Sequence, residues 1–146
     1  MIIIRYEKAC RNDLIFMILQ AKDALGRKPG LNEDLLDIET NYFEKGDNFY
    51  LAINEKDRVT GSIGYHLDSS LHEAYLHRLF VKASEKHKGI GTALYKTVED
   101  ELKARGTQTI KIHLGEPREQ WFESYAFYKK HGYIEYDEGV MIKELN

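Results

Sequence analysis

A glycine-containing loop between an apolar run and a periodic helix most strongly constrains how this chain can fold. The apolar run 74–81 predicts a strand. After the loop, an apolar residue recurs every four positions, at Ile90, Leu94, Val98 and Leu102, which predicts an amphipathic helix. A further apolar run follows that helix. Strand, helix and strand in this order predict a right-handed parallel crossover, with the loop at the carboxyl end of the first strand.

Additional strands and helices are predicted on both sides of this unit. Predicted strands cover residues 2–6, 49–53, 59–67, 109–114, 133–136 and 140–145, and predicted helices cover residues 32–43 and 116–130. An earlier helix, capped by Asn12 or Asp13, carries one apolar side made of Leu14, Ile15, Ile18, Leu19 and Leu25. The order β-α-α-β-β-β-α-β-α-β-β predicts an α/β fold with a mixed sheet, in one domain over residues 1–146.

Length, charge and cysteine content restrict the class of protein. With 146 residues, 42% hydrophobic and 31% charged, the composition is that of a globular domain rather than a disordered chain. A formal charge of −3 indicates no general attraction to nucleic acid. Arg5 and Glu7 interrupt the apolar start too soon for a signal peptide or membrane span, so we expect a cytoplasmic protein. Cys10 is the only cysteine, which excludes an intramolecular disulfide.

The loop 86–92 has the properties of an anion site. A helix begins with backbone N–H groups that lack intrahelical partners, and the aligned peptide dipoles add partial positive charge there. Gly89 and Gly91 carry no Cβ that would hold a phosphate away from the backbone, and Lys86 and Lys88 add charge. A nucleotide-triphosphate loop is excluded because no lysine follows Gly91, and the dinucleotide fingerprint fails because its third glycine is absent. The alternative is that Gly89 only permits a strand-to-helix turn.

Two segments resemble the GNAT superfamily of N-acetyltransferases. The first is similar to the acetyl-CoA-binding segment of that family and reads Leu76-x-x-Leu79-Phe80-Val81-x-x-x-x-Lys86-x-x-Gly89-Ile90-Gly91-Thr92-x-Leu94. Lys86 stands in it where the family has arginine or glutamine. The second resembles the family's Phe-Tyr-x-Lys-x-Gly-Phe and reads Phe127-Tyr128-Lys129-Lys130-His131-Gly132-Tyr133. The chain departs from the family at Trp121 and Ser124, where many members have asparagine and alanine.

The resemblance implies a splayed central sheet that binds acetyl-CoA as cosubstrate, without a metal. The pantetheine arm would enter like an extra strand beside the backbone of Leu79, Phe80 and Val81. The pyrophosphate would be held at the loop, whose implied contact residues are Lys86, His87, Lys88, Gly89, Ile90, Gly91 and Thr92. Tyr128 matches the family position of the general acid near the coenzyme sulfur. By analogy with the family, the chain would form a homodimer.

The acceptor amine is mostly protonated at neutral pH, so a base or a water relay must remove a proton. Period-two geometry places one set of side chains on a single face of the strand, namely Tyr75, His77, Leu79 and Val81. Some amine acetyltransferases of the superfamily use a histidine at the position of His77, and histidine titrates in the useful range. A structural role for His77 and a water relay both stay open. His66 and His113 lie on strands expected to be adjacent, but they lack metal-ligand spacing, and no metal site is predicted.

These observations predict an N-acetyltransferase that moves an acetyl group from acetyl-CoA to a primary amine of a small molecule or peptide. The amine would attack directly in a ternary complex, without a covalent enzyme intermediate. The competing interpretation is a non-catalytic acyl-CoA-binding regulatory module on the same fold, and a weaker one is a phosphate-ligand binder. An acidic group in the second predicted helix would attract a cationic amine or only form a solvated face; it comprises Glu33, Asp34, Asp37 and Glu39.

Overall fold

The computed structural model describes residues 1–28 and 30–145, which form a seven-stranded sheet in the order β1-β2-β3-β4-β5-β7-β6. The strands are β1 (Ile2–Arg5), β2 (Phe49–Ile53), β3 (Val59–Asp68), β4 (Glu73–Val81), β5 (Thr109–His113), β6 (Ile134–Asp137) and β7 (Val140–Glu144). The helices are α1 (Arg11–Ala24), α2 (Ile38–Asn41), α3 (Ile90–Ala104) and α4 (Phe122–Lys130). The mixed α/β architecture is therefore confirmed. No helix among the described residues is both long and apolar enough to cross a membrane.

The sheet splays between β4 and β5. These strands are parallel and pair over only three residues each, 73–75 with 109–111. Beyond that point β4 stays with β3, whereas β5 continues along β7 as far as His113 opposite Val140. The second half of β4 therefore has no strand on its β5 side, which leaves its backbone groups there free to pair with something else. The splayed sheet expected from the resemblance is confirmed.

Both faces of the sheet are covered, because alternate side chains of each strand point to opposite faces. One face packs against α3 and α4 in a core that includes Leu94, Tyr95, Val98, Leu102, Tyr128 and Tyr133. The other face packs against α1 and the segment 32–45, in a core that includes Leu14, Met17, Ile18, Leu35, Tyr42 and Phe49. The residues at the gap between β4 and β5 therefore have helices on both sides of the sheet.

The segment 32–43 does not form the single helix that its acidic pattern predicted. It consists of 3₁₀ turns at Glu33–Leu36 and Phe43–Lys45 on either side of the four-residue α2. The break lies at Asp37, whose backbone is non-helical (φ −148°, ψ 82°) and whose carboxylate accepts the Thr40 N–H at 3.0 Å. Aspartate side chains compete in this way with helical hydrogen bonds, so the prediction of one continuous helix was wrong.

The two helices α1 and α4 begin elsewhere than predicted. Neither Asn12 nor Asp13 caps α1, which begins at Arg11, and the Asp13 carboxylate instead binds Arg58 and the backbone N–H of Val59. The buried side of α1 is Leu14, Met17, Ile18 and Ala21, whereas Leu19 is exposed. The predicted helix 116–130 is a 3₁₀ turn at Arg118–Trp121 followed by the shorter α4.

A bulge in β4 changes which side chains share a face. His77 lies opposite Gly64 and Phe80 opposite Ser62, so two residues, Arg78 and Leu79, oppose one residue of β3. Arg78 has a positive φ of 57°. One extra residue reverses the alternation of side chains beyond it. Leu79 and Val81 therefore pack into the α3 and α4 core, whereas the ring of His77 lies on the α1 side. The prediction that Tyr75, His77, Leu79 and Val81 share a face was wrong.

Candidate functional site

A cavity of about 590 Å³ lies beside the unpaired end of β4. Its walls are the last residues of β4, the loop before α3 with the first turn of that helix, the inner side of α4, and the carboxyl end of α1 with the residues that follow it. Among the predicted coenzyme-binding residues, those that line the cavity are Leu79, Phe80, Val81, Lys86, His87, Gly89, Ile90, Gly91, Thr92 and Tyr128. Lys88 and His77 do not belong to this lining.

The loop wall presents backbone N–H groups rather than side chains. Gly89 is the N-cap of α3 with φ 84°, no side chain caps the helix, and its first turn has no acidic residue. The Ala93 N–H bonds to the Gly89 carbonyl at 3.0 Å, so the N–H groups before it have no acceptor within the helix. A Cβ at Gly91 would lie 3.5 Å from Val81 and Phe127, inside the cavity wall. This geometry fits an anion such as a pyrophosphate.

The two lysines of the loop are engaged by carboxylates. Lys86 forms a short ion pair with Glu123 of α4, which ties the loop to the opposite wall. Lys88 pairs with Glu85 at 2.9 Å and projects into solvent, with 61% of its side chain exposed. Exposed ion pairs contribute little binding energy and are screened by salt. The backbone N–H groups are therefore better suited than the two lysines to bind an anion at this wall.

Tyr128 supplies the inner wall of the cavity. It is the one buried residue of α4, with 4% of its surface exposed, and its ring packs edge-on against Phe127 and Tyr133. Its hydroxyl forms no hydrogen bond with any residue that the structure describes. Burial raises the pKa of Tyr128 well above its ordinary value, and the charge of Arg27 opposes this only in part. The phenol therefore stays protonated at physiological pH, as a proton donor requires.

His77 lies outside the cavity lining, among other titratable side chains. Its ring is 4.7 Å from the ring of His66, at an angle of 72°. Burial, together with the charges of His66 and Arg78, lowers the pKa of His77 to about 4. The imidazole is neutral at pH 7 and able to accept a proton, but a pKa this low makes it a weak base.

His66 is held in place by a carboxylate that the sequence pattern did not single out. Asp47, which is 5% exposed, accepts the Leu67 N–H at 2.9 Å and lies 2.8 Å from Nδ1 of His66. The His66 ring also stacks on Tyr42 at 4.6 Å. A proton on Nδ1 directed at Asp47 leaves Nε2 as the acceptor. Within residues 1–28 and 30–145, no group of three or more His, Cys, Asp or Glu side chains is arranged to hold a metal ion.

Arg27, which lines the cavity, is a second residue that sequence reasoning missed. Its guanidinium carbon lies 3.6 Å from the centre of the Trp121 ring, and its nitrogens donate to the Gln120 carbonyl and the Ser124 hydroxyl at 3.3 Å. Trp121 and Ser124, the two departures from the family pattern, thus position an arginine in the cavity wall. These contacts join residues more than ninety positions apart, so no local pattern could have revealed them.

Comparisons with known proteins agree with this geometry. The family model described as "Acetyltransferase (GNAT) family" matches residues 17–133. The structure of a GNAT-family acetyltransferase from Staphylococcus aureus Mu50 is 25% identical, with a TM-score of 0.86 over 99% of both chains. Among curated protein sequences, none matches this chain.

Two more distant structures share the fold. An aminoglycoside 6'-N-acetyltransferase complexed with coenzyme A is 20% identical, with a TM-score of 0.69 over 99% of this chain and 97% of that one. The Escherichia coli ribosomal-protein-S18-alanine N-acetyltransferase is 17% identical, with a TM-score of 0.77 over 99% and 94%. Because the family match spans well over half of the chain, including the glycine loop and Tyr128, the chain belongs to the GNAT family and is an acyl-CoA-dependent acetyltransferase.

Proposed function

We propose that this enzyme transfers an acetyl group from acetyl-CoA to a primary amine by direct attack in a ternary complex. The observation that carries the proposal is the meeting, in one cavity, of the uncapped start of α3 and the unpaired hydroxyl of Tyr128. The first suits a pyrophosphate and the second suits a leaving thiolate. The GNAT relatives include enzymes named for small-molecule and for protein acceptors, which supports an amine of either kind.

In the proposed complex the chain holds the coenzyme mostly through its backbone. The N–H groups from His87 to Thr92 would bind the pyrophosphate. The free edge of β4 at Leu79, Phe80 and Val81 would pair with the pantetheine arm. Acetyl-CoA supplies the activated acyl group as a thioester. The open β5 side of β4 supports this placement, because a strand edge with unpaired N–H and C=O groups can bind an extended amide chain.

The reaction needs two proton movements. The lone pair of the neutral amine attacks the thioester carbon, and collapse of the tetrahedral intermediate breaks the carbon–sulfur bond. In our proposal the Tyr128 hydroxyl gives its proton to the departing thiolate and regains one from solvent. The proton released by the amine goes to a base. Burial keeps this phenol fully protonated before the reaction, as an acid must be, but the raised pKa also makes it a weaker proton donor than an exposed tyrosine.

The base that accepts the amine proton is either His77 itself or a relay of water molecules that carries the proton to another acceptor. His77 is neutral at pH 7, but its pKa of about 4 makes it a poor final acceptor. A relay that ends at His66 is supported by the contact of the two rings and by Asp47, which lies 2.8 Å from Nδ1 of His66 and holds that ring in place. Both routes leave Tyr128 as the acid. A cytoplasmic location, a homodimer, and the lack of nucleic-acid or membrane partners stay predictions from the sequence.

The test is to titrate the protein with acetyl-CoA by calorimetry and then to screen primary amines for release of free thiol. We expect saturable coenzyme binding and amine-dependent thiol release. The variant Gly91→Leu fills the cavity wall and is expected to lose coenzyme binding, while Lys96→Leu, on the exposed side of the same helix, keeps it. Absence of acetyl-CoA binding would contradict the proposal. Binding without turnover of any amine would favour the non-catalytic module.

A further inference from the structure

Arg27 brings a positive charge into the cavity, where Glu123, the carboxylate whose charge acts on it, is paired with Lys86. Its side chain is half-buried, and no described residue forms a salt bridge with it. Its three contacts are all neutral: the Trp121 ring, the Gln120 carbonyl and the Ser124 hydroxyl. Burial is the main cause that lowers the pKa of Arg27. Burying a charge without a partner costs free energy, so a cation in a cleft wall is best explained by a ligand that neutralises it.

The guanidinium is held in a defined orientation. Its plane lies against Trp121, and Nε and Nη2 make the two hydrogen bonds, whereas Nη1 donates to no described residue. The Trp121 ring in turn lies against Gly115, where an added Cβ would come within 2.4 Å of it. A stacked guanidinium is pre-organised, so little side-chain entropy is lost when it binds a planar anion. Arg27 is thus positioned for recognition as well as charged.

Arg27 lies near the reacting end of the cavity. Ser124, its hydrogen-bond partner, lies four residues before Tyr128 on the same side of α4, a rise of about 6 Å along the axis. The charge of Arg27 is also close enough to oppose the rise in the pKa of Tyr128. Under the proposed function Tyr128 marks the coenzyme sulfur. Arg27 would then lie on the side of the cavity where the amine attacks the thioester.

We propose that Arg27 binds a carboxylate of the substrate, and that the enzyme prefers small amines that carry a carboxylate close to the reacting nitrogen, such as amino acids. This inference rests on the proposed function. The same chemistry would arise if the carboxylate belonged to the acyl group of a dicarboxylic acyl-CoA. Arginine recognises carboxylates through paired, charge-assisted hydrogen bonds, which suits it to either source.

The acidic group considered in the sequence does not support the opposite preference, for a cationic substrate, and none of its four residues lines the cavity. Asp34 is already bound by Arg78 at 2.9 Å and by the Tyr42 hydroxyl at 2.6 Å. Asp37 is used as the cap of α2. Two of the four carboxylates considered in the sequence are therefore committed within the protein, whereas Arg27 is not.

The experiment compares amino acids with their decarboxylated amines as acceptors, using acetyl-CoA, in the wild-type protein and in Arg27→Gln and Arg27→Lys. We expect Arg27→Gln to lower kcat/KM for the amino acids about 10- to 100-fold through KM, and to leave the decarboxylated amines and the KM of acetyl-CoA unchanged. Arg27→Lys should keep part of the preference. Arg118→Gln is the matched control, because Arg118 stacks on Tyr125 at 3.9 Å but is paired with Glu135.

A second arm identifies the source of the carboxylate. Succinyl-CoA is compared with acetyl-CoA on a decarboxylated amine, and an Arg27-dependent preference for succinyl-CoA would assign the carboxylate to the acyl group. An equal loss on both acceptor series, or a rise in the KM of acetyl-CoA alone, would overturn the proposal in favour of a structural or coenzyme-phosphate role.

Calorimetric titration of amino acids into the protein loaded with coenzyme A separates this inference from the proposed function. Amino-acid binding that is lost in Arg27→Gln would support the Arg27 site even if no amine were acetylated. If the wild-type protein acetylates decarboxylated amines but does not bind or prefer carboxylates, the proposed function stands and the Arg27 inference fails.

Discussion

The two helices that flank the cavity, α3 and α4, contribute to it in opposite ways. α3 has 15 residues and buries six of them along one side, and what it presents to the cavity is mainly the backbone of its first turn. α4 has nine residues and buries one, Tyr128, and what it presents is side chains. α3 thus offers backbone groups, which do not depend on residue type. α4 offers side-chain groups, which do.

The helices are also held differently. α3 is held by its apolar side and by the buried Glu99, which accepts hydrogen bonds from Lys143 at 2.8 Å and from Tyr95. The segment that begins α4 is held by two arginine–aromatic stacks, Arg27 on Trp121 and Arg118 on Tyr125. A site made of backbone tolerates changes of nearby side chains, whereas a site made of side chains does not. We therefore expect substitutions in α4 to affect catalysis and substitutions around α3 to affect stability.

The largest effect is expected for Tyr128→Phe. Loss of the proposed general acid should lower kcat about 10²-fold with unchanged acetyl-CoA affinity, because the ring and its packing are retained. Steady-state kinetics with calorimetry for the coenzyme measures both. Tyr136→Phe, at an exposed tyrosine of β6, is the control and should have no effect. An unchanged kcat in Tyr128→Phe would remove α4 from the chemistry of the reaction.

Glu99→Gln should lower the free energy of unfolding by about 2 kcal/mol at pH 7 without a comparable change in kcat. Burial by itself would raise the pKa of Glu99, but hydrogen bonds from Lys143 and Tyr95 hold it at about 2. The stabilisation is therefore present above the ordinary glutamate pKa and is lost as pH falls from about 4.5 to about 2. Urea unfolding at pH 7 and at pH 3 should show the difference between variant and wild type shrinking in acid.

The control for Glu99→Gln is Asp100→Asn, at the neighbouring exposed position of α3, which should be neutral. A difference between Glu99→Gln and wild type that stays constant with pH would show that the charge of Glu99 contributes nothing to the attachment of α3.

Gly115→Ala should lower kcat/KM for carboxylate-bearing amines about tenfold, because a methyl group 2.4 Å from Trp121 must displace the ring that supports Arg27. The comparison is Gly91→Ala at the start of α3, where the added methyl meets its neighbours at ordinary distances of 3.5 Å. That variant should change the KM of acetyl-CoA slightly and leave acceptor preference unaltered. Equal effects of the two variants on acceptor preference would contradict the assignment of the backbone of α3 and the side chains of α4 to different functions.

The smallest effect is expected for Lys88→Met. Lys88 is exposed, is paired with Glu85 and lies outside the cavity lining, so the KM of acetyl-CoA should rise less than about twofold. The measurement is made at low and at physiological salt, with Lys103→Met on the far end of α3 as the control. A tenfold rise would mean that side-chain charge, rather than the backbone of α3, binds the phosphates.

Features that depend on interactions between residues close in sequence were mostly predicted correctly, and features that depend on contacts between distant segments were not. α3 and its loop were predicted because an apolar stripe and a glycine cap are local properties. The common face of Tyr75, His77, Leu79 and Val81 was predicted wrongly, because a bulge arises from the pairing of two strands. The prediction of one helix over residues 32–43 was wrong because Asp37 caps α2 instead of continuing a helix.

Asp47 and Arg27 were missed for the same reason, because their contacts join residues still farther apart in the sequence. Asp47 binds a histidine 19 positions away, and Arg27 binds Ser124 97 positions away. Neither residue lies in a motif, and each becomes a site residue only through a contact that the chain makes after folding. A single sequence contains no sign of such a contact.

The sequence by itself determined the strand–loop–helix unit with its glycine loop, the tyrosine of α4 and hence the family, since hydrogen bonding and periodicity act within a few residues. The tertiary structure decided which side chains surround the cavity. It placed Arg27 beside Tyr128, joined Asp47 to His66 and turned His77 away from Leu79. The physical reason is that packing between distant segments, rather than local conformation, selects the partners of a charged side chain.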